Sequence, residues 1–393
     1  MRPRPILETR ALLYADHHAT TPLDPEVFEA MRPWLAGLAG NPSSVHGPGR
    51  AARAAVERAR DEVAALLNAD AAGIVFTSGG TEADNLAVRG GARAAREADP
   101  ARLRVFFTAA EHAAVREAAH ALSPEGFVPL ELPVDARGVP LGAAPADSTT
   151  ALVSVILANN ETGAVFDGLP SFAEKTRRAG ALVHTDAVQA SGKIPVDAAA
   201  LGVDLLSIAA HKFGGPKGAG ALWVRPGVRV FPLAAGGGQE RGRRGGTENV
   251  AALVGLGEAA RLARRRLAAE GARLAALRDR LEAGLLAAVP LARVNAAGGA
   301  RLPTASSIVF PGAEAETLVA ALDLEGIAVS AGSACHAGTT APSRVLLALG
   351  LSAADAKSTL RISFGRPSTE EDVDRLLEAV PRVVARARRA ART

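Results

Sequence analysis

Short apolar runs alternate with stretches of helical periodicity over the first 250 or so residues of the chain. Short continuous apolar runs are typical of strands buried on both faces, and apolar residues three and four apart are typical of helices. The predicted strands are Gly73–Phe76, Arg104–Thr108, Ala151–Leu157, Ala181–His184, Asp204–Ile208 and Ala219–Val224. This alternation predicts a largely parallel sheet covered by helices, with an active site beyond the carboxyl ends of the strands.

A different pattern begins near residue 250. Apolar residues recur at helical spacing from about 250 to 290 and stop before Pro290, which predicts one long helix linking two domains. The elements predicted after it are a strand at Ser306–Phe310, a helix at Glu314–Leu324, a strand at Ile327–Ser330 and helices around 343–350 and 369–388. We therefore predict a large domain over 21–262 and a smaller α+β domain formed by 1–20 and 263–393, because 393 residues exceed one hydrophobic core.

Composition narrows the class of protein. The excess of 45 Lys and Arg over 41 Asp and Glu is only +4, which is weak support for a polyanionic partner and fits Arg side chains on solvated helix faces. The single cysteine, Cys335, permits no intrachain disulfide and supplies too few thiolates for a cysteine-based zinc site, as in a reducing compartment. Without an apolar segment of about 18–20 residues, the sequence predicts a cytoplasmic enzyme with no membrane partner.

Polar residues follow several of the predicted strands. Ser78-Gly79-Gly80-Thr81 stands between a strand and a helix, so its backbone N–H groups could hold a phosphate. An ordinary turn with Thr81 as the helix N-cap is the alternative at this stage. His112 and Asn160 come just after two further strands, where each could bind a ligand or simply satisfy a loop.

Two more strand ends carry acid and amine groups. Asp186 ends one strand with Gln189 shortly after it, and His211-Lys212 follows the next. Lysine is scarce in this Arg-rich chain, and unlike Arg a desolvated lysine amine can form a Schiff base. Lys217, in GGPKG, lacks the GxxxxGK[ST] spacing of a phosphate loop.

The chain resembles the cysteine desulfurases, which are fold type I (aminotransferase class V) pyridoxal-phosphate enzymes. The resemblance extends over nearly the whole chain and rests on ten motifs in order. These are DHHATTPLDPEV, GNPSSVHGPGR, IVFTSGGTEADNLA, EHAAV, ANNETGAV, HTDAVQASGK, AAHKFGGPKGAGALWVR, GGGQERGRRGGTENV, SAGSACHAG and LRISFGR. It implies a large domain with a mainly parallel seven-stranded sheet and a small domain that carries the catalytic cysteine.

The resemblance also implies how pyridoxal 5'-phosphate is held. Lys212 would form a Schiff base with it, Asp186 would pair with its pyridine nitrogen, and His112 would stack on its ring. Gln189 would approach the phenolic oxygen. The residues implied around the phosphate are Gly80, Thr81, His211 and, from the partner subunit of a homodimer, Thr247.

The implied reaction takes sulfur from L-cysteine and releases alanine. Asn160, beside the cofactor, and Arg361 would bind the substrate carboxylate, and Lys212 would remove the α-proton. Cys335 would attack the substrate sulfur and carry it as a persulfide to an acceptor protein, in iron–sulfur cluster assembly or thiolation. A lone cysteine is by default an inert buried residue, but the small, polar SAGSACHAGTTAPS context favours the reactive role. His336 could lower the thiol pKa.

The sequence departs from the family at two places. Most relatives have a serine at Ala209 that contacts the phosphate, so one donor is missing, at a cost of about 1 kcal/mol in cofactor binding. The chain ends in VVARARRAART, where housekeeping members often have a longer tail that docks a scaffold protein. A specialised acceptor is therefore an alternative to the iron–sulfur scaffold.

Three other functions fit these residues less well. A selenocysteine lyase or an aminotransferase of the same class would share the cofactor, but a transaminase does not need Cys335. A non-catalytic scaffold would not be expected to retain Lys212, Asp186, His112 and Arg361. Nucleic-acid binding as the main function would rest on a short Arg run without aromatic residues.

Overall fold

A computed structural model describes residues 12–142, 146–332 and 341–391. Within these ranges the strands are β1 (Leu13–Tyr14), β2 (Ile74–Thr77), β3 (Arg104–Thr108), β4 (Val128–Leu132), β5 (Thr150–Ser154), β6 (Leu182–Asp186), β7 (Leu205–Ala209), β8 (Gly220–Val224), β9 (Arg293–Val294), β10 (Ala305–Val309), β11 (Ile327–Ala328) and β12 (Thr359–Ser363).

The α-helices are α1 (Pro25–Ala36), α2 (Gly47–Leu66), α3 (Gly80–Asn85), α4 (Gly91–Ala98), α5 (Ala113–His120), α6 (Leu169–Arg178), α7 (Ala198–Leu201), α8 (Val250–Ala288), α9 (Ala315–Asp323), α10 (Arg344–Ala348), α11 (Ala353–Lys357) and α12 (Glu370–Ala390). A π-helical turn over Leu86–Gly90 joins α3 to α4, so the two form one continuous helical run with an extra residue in its middle.

A seven-stranded sheet organises most of the chain. Its order is β2-β8-β7-β6-β5-β3-β4, and every neighbouring pair is parallel except the two that include β8. The predicted mainly parallel sheet is confirmed, and the six predicted strands match β2, β3, β5, β6, β7 and β8 within a few residues at their ends. Strand β4 was not predicted, because this edge strand has four of its five side chains partly or fully exposed and lacks a continuous apolar run.

The sheet is buried on both faces. We call the apolar clusters on these two faces, taken together, the large core. Alternate residues of each strand enter opposite clusters, as the two-residue period of a strand requires: Phe76 and Leu206 pack on one face, and Val75 and Leu205 on the other. This arrangement explains why the strands are continuous apolar runs.

A second cluster, the small core, lies among the strands and helices that follow residue 263. Strand β10 pairs antiparallel with β12 and β9. Strand β1, from the start of the described chain, pairs parallel with β11 and so joins this part of the fold. Helix α8 contributes to both cores, with Leu253 and Leu256 in the large core and Leu277 and Leu281 in the small core. The predicted domain limits at 262 and 263 stay a prediction.

Helix α12 carries the basic stretch that ends the chain. Thr369 and Asp372 form a capping box at its start. Near its other end, Arg388 donates to the carbonyl oxygens of Pro311 (2.9 Å) and Pro290 (3.1 Å), so this arginine stabilises the packing of the helix. Among the described residues, none of the helices is both long enough and apolar enough to cross a membrane.

Candidate active site

The carboxyl ends of the parallel strands meet at one edge of the sheet, and the predicted polar residues lie there. Asp186 is the last residue of β6, and Lys212 lies in a 3-10 turn directly after β7. His112 is the N-cap of α5, where its Nδ1 accepts a hydrogen bond from the backbone N–H of Ala114 (3.1 Å). The topology of the sheet, not closeness in sequence, brings these groups together.

Asp186 is buried close to basic groups. Its Oδ1 accepts a hydrogen bond from the backbone N–H of Val188 (2.8 Å). Burial raises the pKa of this carboxyl, and the positive charges of His112 and Lys212 act in the opposite direction. The site thus has a desolvated acid whose ionised form is favoured by a neighbouring positive group.

Lys212 is fixed by the segment that follows β1. Its Nζ donates to the carbonyl oxygens of His18 (2.6 Å) and Ala19 (2.8 Å). In the same region His211 Nδ1 lies 3.1 Å from Thr20 Oγ1. Burial, followed by the charge of Lys212, lowers the pKa of His211 to about 4, so its imidazole is neutral near pH 7.

Gln189 is held by a lysine whose role was not predicted. Lys193 Nζ donates to the Gln189 side-chain oxygen (2.7 Å) and to its backbone oxygen (3.1 Å). The Gln189 amide nitrogen donates to the His18 carbonyl (2.8 Å). Because Lys193 occupies the amide oxygen, the amide NH₂ is the end that Gln189 presents to the site. The sequence signals for Lys193 were its place at the end of the HTDAVQASGK motif and the scarcity of lysine in the chain.

The glycine turn after β2 is shaped by close packing. Gly79 is the N-cap of α3, with φ of +155° and no side-chain cap, so the interpretation of Thr81 as the N-cap is wrong. A Cβ on Gly80 would lie 2.8 Å from a methyl carbon of Val188, in the loop after β6. Glycine therefore lets this turn approach Asp186's loop. Ala209, which ends β7, is fully buried and offers no hydroxyl here.

Arg361 on β12 is one of the largest fully buried side chains. One terminal nitrogen donates to the backbone oxygens of Asn160 (3.0 Å) and Gly332 (2.9 Å), and the other pairs with Asp16 (2.7 Å). Among the described residues, its Nε is buried without a hydrogen-bond partner. Asn160 therefore contacts Arg361 through its backbone, and the Asp16 ion pair was not predicted although DHHATT was among the motifs.

Three predicted residues lie elsewhere or outside the described part. Thr247 is exposed, in a segment anchored by Glu240, which pairs with Arg60 at 2.7 Å and accepts from the N–H of Phe76 at 2.9 Å. Cys335 and His336 lie outside the described residues.

A cavity of about 430 Å³ is lined in part by Lys212. Its other walls include the buried His17, Leu262 and Phe364, at the junction of the large and small cores. Lys212 thus lines a cavity that is large enough for a small ligand.

The donor set fits pyridoxal phosphate. A lysine amine can bind an aldehyde, a buried carboxylate can pair with a protonated ring nitrogen, and a glycine turn can approach a phosphate. The burial of Asp186 at the same edge of the sheet as Lys212 is the observation that decides the fit, because a pyridinium would supply this acid with a cationic partner.

Comparisons with known proteins agree with this chemistry. Residues 13–376 match the Aminotransferase class-V family. A cysteine desulfurase from Cereibacter sphaeroides is 46% identical over 377 residues, which cover 95% of each chain. A solved NifS-like protein superposes with a TM-score of 0.85 at 35% identity, covering 95% of this chain and all of that one. A solved structure of SspA in complex with cysteine has a TM-score of 0.76 at 32% identity, with coverage of 90% and 98%.

Proposed function

This chain belongs to the aminotransferase class-V family and within it to the cysteine desulfurases, and from that premise we propose that it uses pyridoxal phosphate to move the sulfur of L-cysteine onto Cys335. Alanine is the other product. The solved relative that contains cysteine supports this choice of substrate.

We assign the cofactor to the edge of the sheet described above. Lys212 would hold it through its amine, Asp186 would pair with the pyridine nitrogen, and His112 would lie against the ring. Gln189 would donate to the phenolic oxygen, since Lys193 already occupies its amide oxygen. The phosphate would contact Gly80, Thr81 and His211, together with Thr247 of a second subunit. When bound, pyridoxal phosphate stabilises negative charge that develops at the substrate α-carbon.

The substrate carboxylate is assigned to Arg361. This guanidinium is charged at any working pH, and its buried Nε has no partner in the described part of the chain. Asp16 and the Asn160 carbonyl fix the plane of the guanidinium, so little side-chain entropy is lost when a carboxylate binds.

Two groups of the chain then act on the substrate. The Lys212 amine removes the α-proton. The Cys335 thiolate attacks the substrate sulfur, so an S–S bond forms as the Cβ–S bond breaks and its electron pair stays with carbon. Cβ and Cα each take up one proton, and alanine leaves. The persulfide on Cys335 is then available to an acceptor protein, and no external oxidant or reductant is required.

One observation carries this proposal: Asp186 ends β6 and Lys212 follows the neighbouring β7, so two groups 26 positions apart in sequence lie at the same edge of the sheet. Gly332, whose carbonyl oxygen accepts a hydrogen bond from Arg361, precedes Cys335 by three residues in the sequence.

The test is an assay of the purified protein with pyridoxal phosphate and L-cysteine. We expect a visible absorption band, equimolar alanine and sulfide in the presence of a reductant, and an alkylatable persulfide mapped to Cys335 by mass spectrometry. Lys212→Ala should lose the lysine-linked band, and Cys335→Ala should keep it but release no sulfur. Lys217→Ala, five residues from Lys212, is the matched control and should retain both properties. A keto acid product, or full activity of Cys335→Ala, would contradict the proposal.

A further inference from the structure

A row of hydrogen-bonded side chains crosses the sheet beneath Asp186. His184 of β6 lies at its centre, with Nδ1 2.9 Å from the Ser154 hydroxyl of β5 and Nε2 2.9 Å from the Ser207 hydroxyl of β7. The three side chains are fully buried. Because side chains two positions apart on a strand share a face, His184 and Asp186 lie on the same side of the sheet.

A carboxyl group stands at each end of this row. Glu111, which immediately precedes His112, accepts from the hydroxyls of Ser154 (3.3 Å) and Thr108 (3.4 Å). At the other end, Asp84 of α3 has its Oδ1 3.7 Å from His184 Nε2. Asp84 is 1% and Glu111 3% exposed, and one buried oxygen of each has no hydrogen-bond partner within the described ranges.

In the described part of the chain neither Asp84 nor Glu111 pairs with a Lys or Arg side chain. His184 Nε2 lies 3.7 Å from Asp84, and burial lowers the pKa of this histidine to about 3, so it is neutral. An isolated carboxylate in such a place costs several kcal/mol, and a group in that position binds a proton instead.

Asp186 makes ionisation of these two acids still less favourable. Burial is the largest effect that raises the pKa of Asp84 and of Glu111, and the negative charge of Asp186 is the next for both. Asp84 and Glu111 also repel each other. Asp186 differs from both because the charges of His112 and Lys212 act on it. Of the three acids, Asp186 is therefore the one that can ionise.

We propose that Asp84 and Glu111 are neutral carboxylic acids at neutral pH, joined through His184 into a row that leaves Asp186 as the single negative charge beneath the cofactor ring. They are positioning residues, because they act through Asp186 and touch neither substrate nor cofactor. The inference rests on the proposed function for the meaning of that charge, namely that it pairs with a protonated pyridine nitrogen. The protonation states of Asp84 and Glu111 are a property of the cofactor-free protein, so they can be tested without pyridoxal phosphate.

The protonation states are measurable in the cofactor-free protein by isotope-edited infrared spectroscopy. With ¹³C-carboxyl aspartate or glutamate incorporated at pH 7, we expect a carbonyl band of a protonated acid for each label. The aspartate band should vanish in Asp84→Asn and the glutamate band in Glu111→Gln. The exposed acids Asp147 and Glu131 provide matched controls, and their amide variants should leave both bands in place. Absence of the bands from the wild type, or their persistence in the two amide variants, would overturn the inference.

The same variants have a second readout in cofactor binding. An amide replaces a neutral acid with little change in shape or charge, so Asp84→Asn and Glu111→Gln should bind pyridoxal phosphate within about threefold of the wild type. The pH midpoint of the visible band should also stay unchanged. If the acids were ionised, both amides would remove a charge near Asp186 and shift that midpoint, which would refute the inference. A protein that shows the infrared bands but binds no pyridoxal phosphate would contradict the proposed function and not the protonation states.

Discussion

At the scale of single residues, Arg361 joins parts of the chain that are far apart in sequence. Its guanidinium contacts Asp16 near the start of the described chain, Asn160 after β5 and Gly332 next to the segment with the cysteine. Three acceptors at fixed angles require a planar group with several N–H donors, and a lysine ammonium is a single point of charge. The geometry of this residue should therefore matter more than its charge.

Arg361→Lys should weaken L-cysteine binding more than cysteamine binding, because cysteamine has no carboxylate. We expect the preference for L-cysteine to fall by about tenfold to a hundredfold, as for a lost hydrogen bond to a charged group. Titration of the visible band with each thiol measures the ratio, which cancels any general loss of stability. Arg366→Lys is the control. An unchanged ratio in Arg361→Lys would remove Arg361 from the substrate site.

His17 allows a test of stability against pH. Burial lowers its pKa to about 4 from an ordinary value of 6.5. A histidine whose pKa is lower in the folded protein makes its full contribution to the free energy of unfolding above about pH 6.5, the pKa in the unfolded chain. This contribution is lost as the pH falls towards 4. Relative to His17→Asn, the wild type should lose about 2 kcal/mol of unfolding free energy between about pH 7.5 and 5. Denaturant titrations measure the difference, and parallel curves for the two proteins would show that His17 titrates normally.

The sequence located Asp186, Lys212, His112 and Gln189 because each follows a strand and such ends converge. It missed Asp16 and Lys193, whose partners lie hundreds of residues away or depend on how a side chain turns. It also missed Glu111, which stands beside His112 in the same motif. Whether a buried acid is ionised depends on the groups that surround it in the folded protein. Neither the spacing of residues nor the composition of the chain identifies those groups.

At the scale of elements, the packing of α2 against α8 depends on a glycine. A Cβ on Gly257 would lie 2.5 Å from the Ala59 Cα of α2, a backbone atom that cannot move by itself. The same long helix also has Gly271, where the nearest atom to an added Cβ is 4.0 Å away. Two chemically identical substitutions in one helix should thus have opposite effects.

Gly257→Ala should destabilise the protein, by about 1–3 kcal/mol as for other overpacked sites, because the two helices must separate. Gly271→Ala should stabilise it by up to about 1 kcal/mol through helix propensity alone. Chemical denaturation of both variants measures the two changes in the free energy of unfolding. A loss of stability in Gly271→Ala equal to that in Gly257→Ala would show that packing does not distinguish the two positions.

Element prediction succeeded where one physical signal dominated. The apolar period of α8 gave its range, Val250–Ala288, almost unchanged, and β3 was predicted with its observed limits. Strand β12, which carries Arg361, was not predicted because a buried arginine interrupts its apolar pattern. The strand predicted at Ile327–Ser330 ends at Ala328, although Ser330 still forms a bridge with Arg361.

At the scale of the whole molecule, Thr247 is exposed, as its proposed role in the site of a second subunit requires. If Thr247 serves the site of a second subunit, a mixed dimer of Lys212→Ala and Thr247→Ala chains contains one site with both residues intact. Mixing the two variants after partial denaturation should give mixed dimers that each have about half of the wild-type activity, because one of their two sites is intact. Activity no higher than the average of the two parents would place Thr247 in its own subunit's site or in none.

Helix α8 runs through 39 residues and contributes side chains to both cores. Its span is about 58 Å at the usual rise per residue. If only half of this helix were folded, apolar side chains of one core would be exposed to water. The two cores should therefore unfold together. Cutting the chain near the middle of this helix should leave two fragments that each fail to fold alone, because each keeps only half of the helix and the C-terminal fragment also loses Leu13 and Ala15 of the small core.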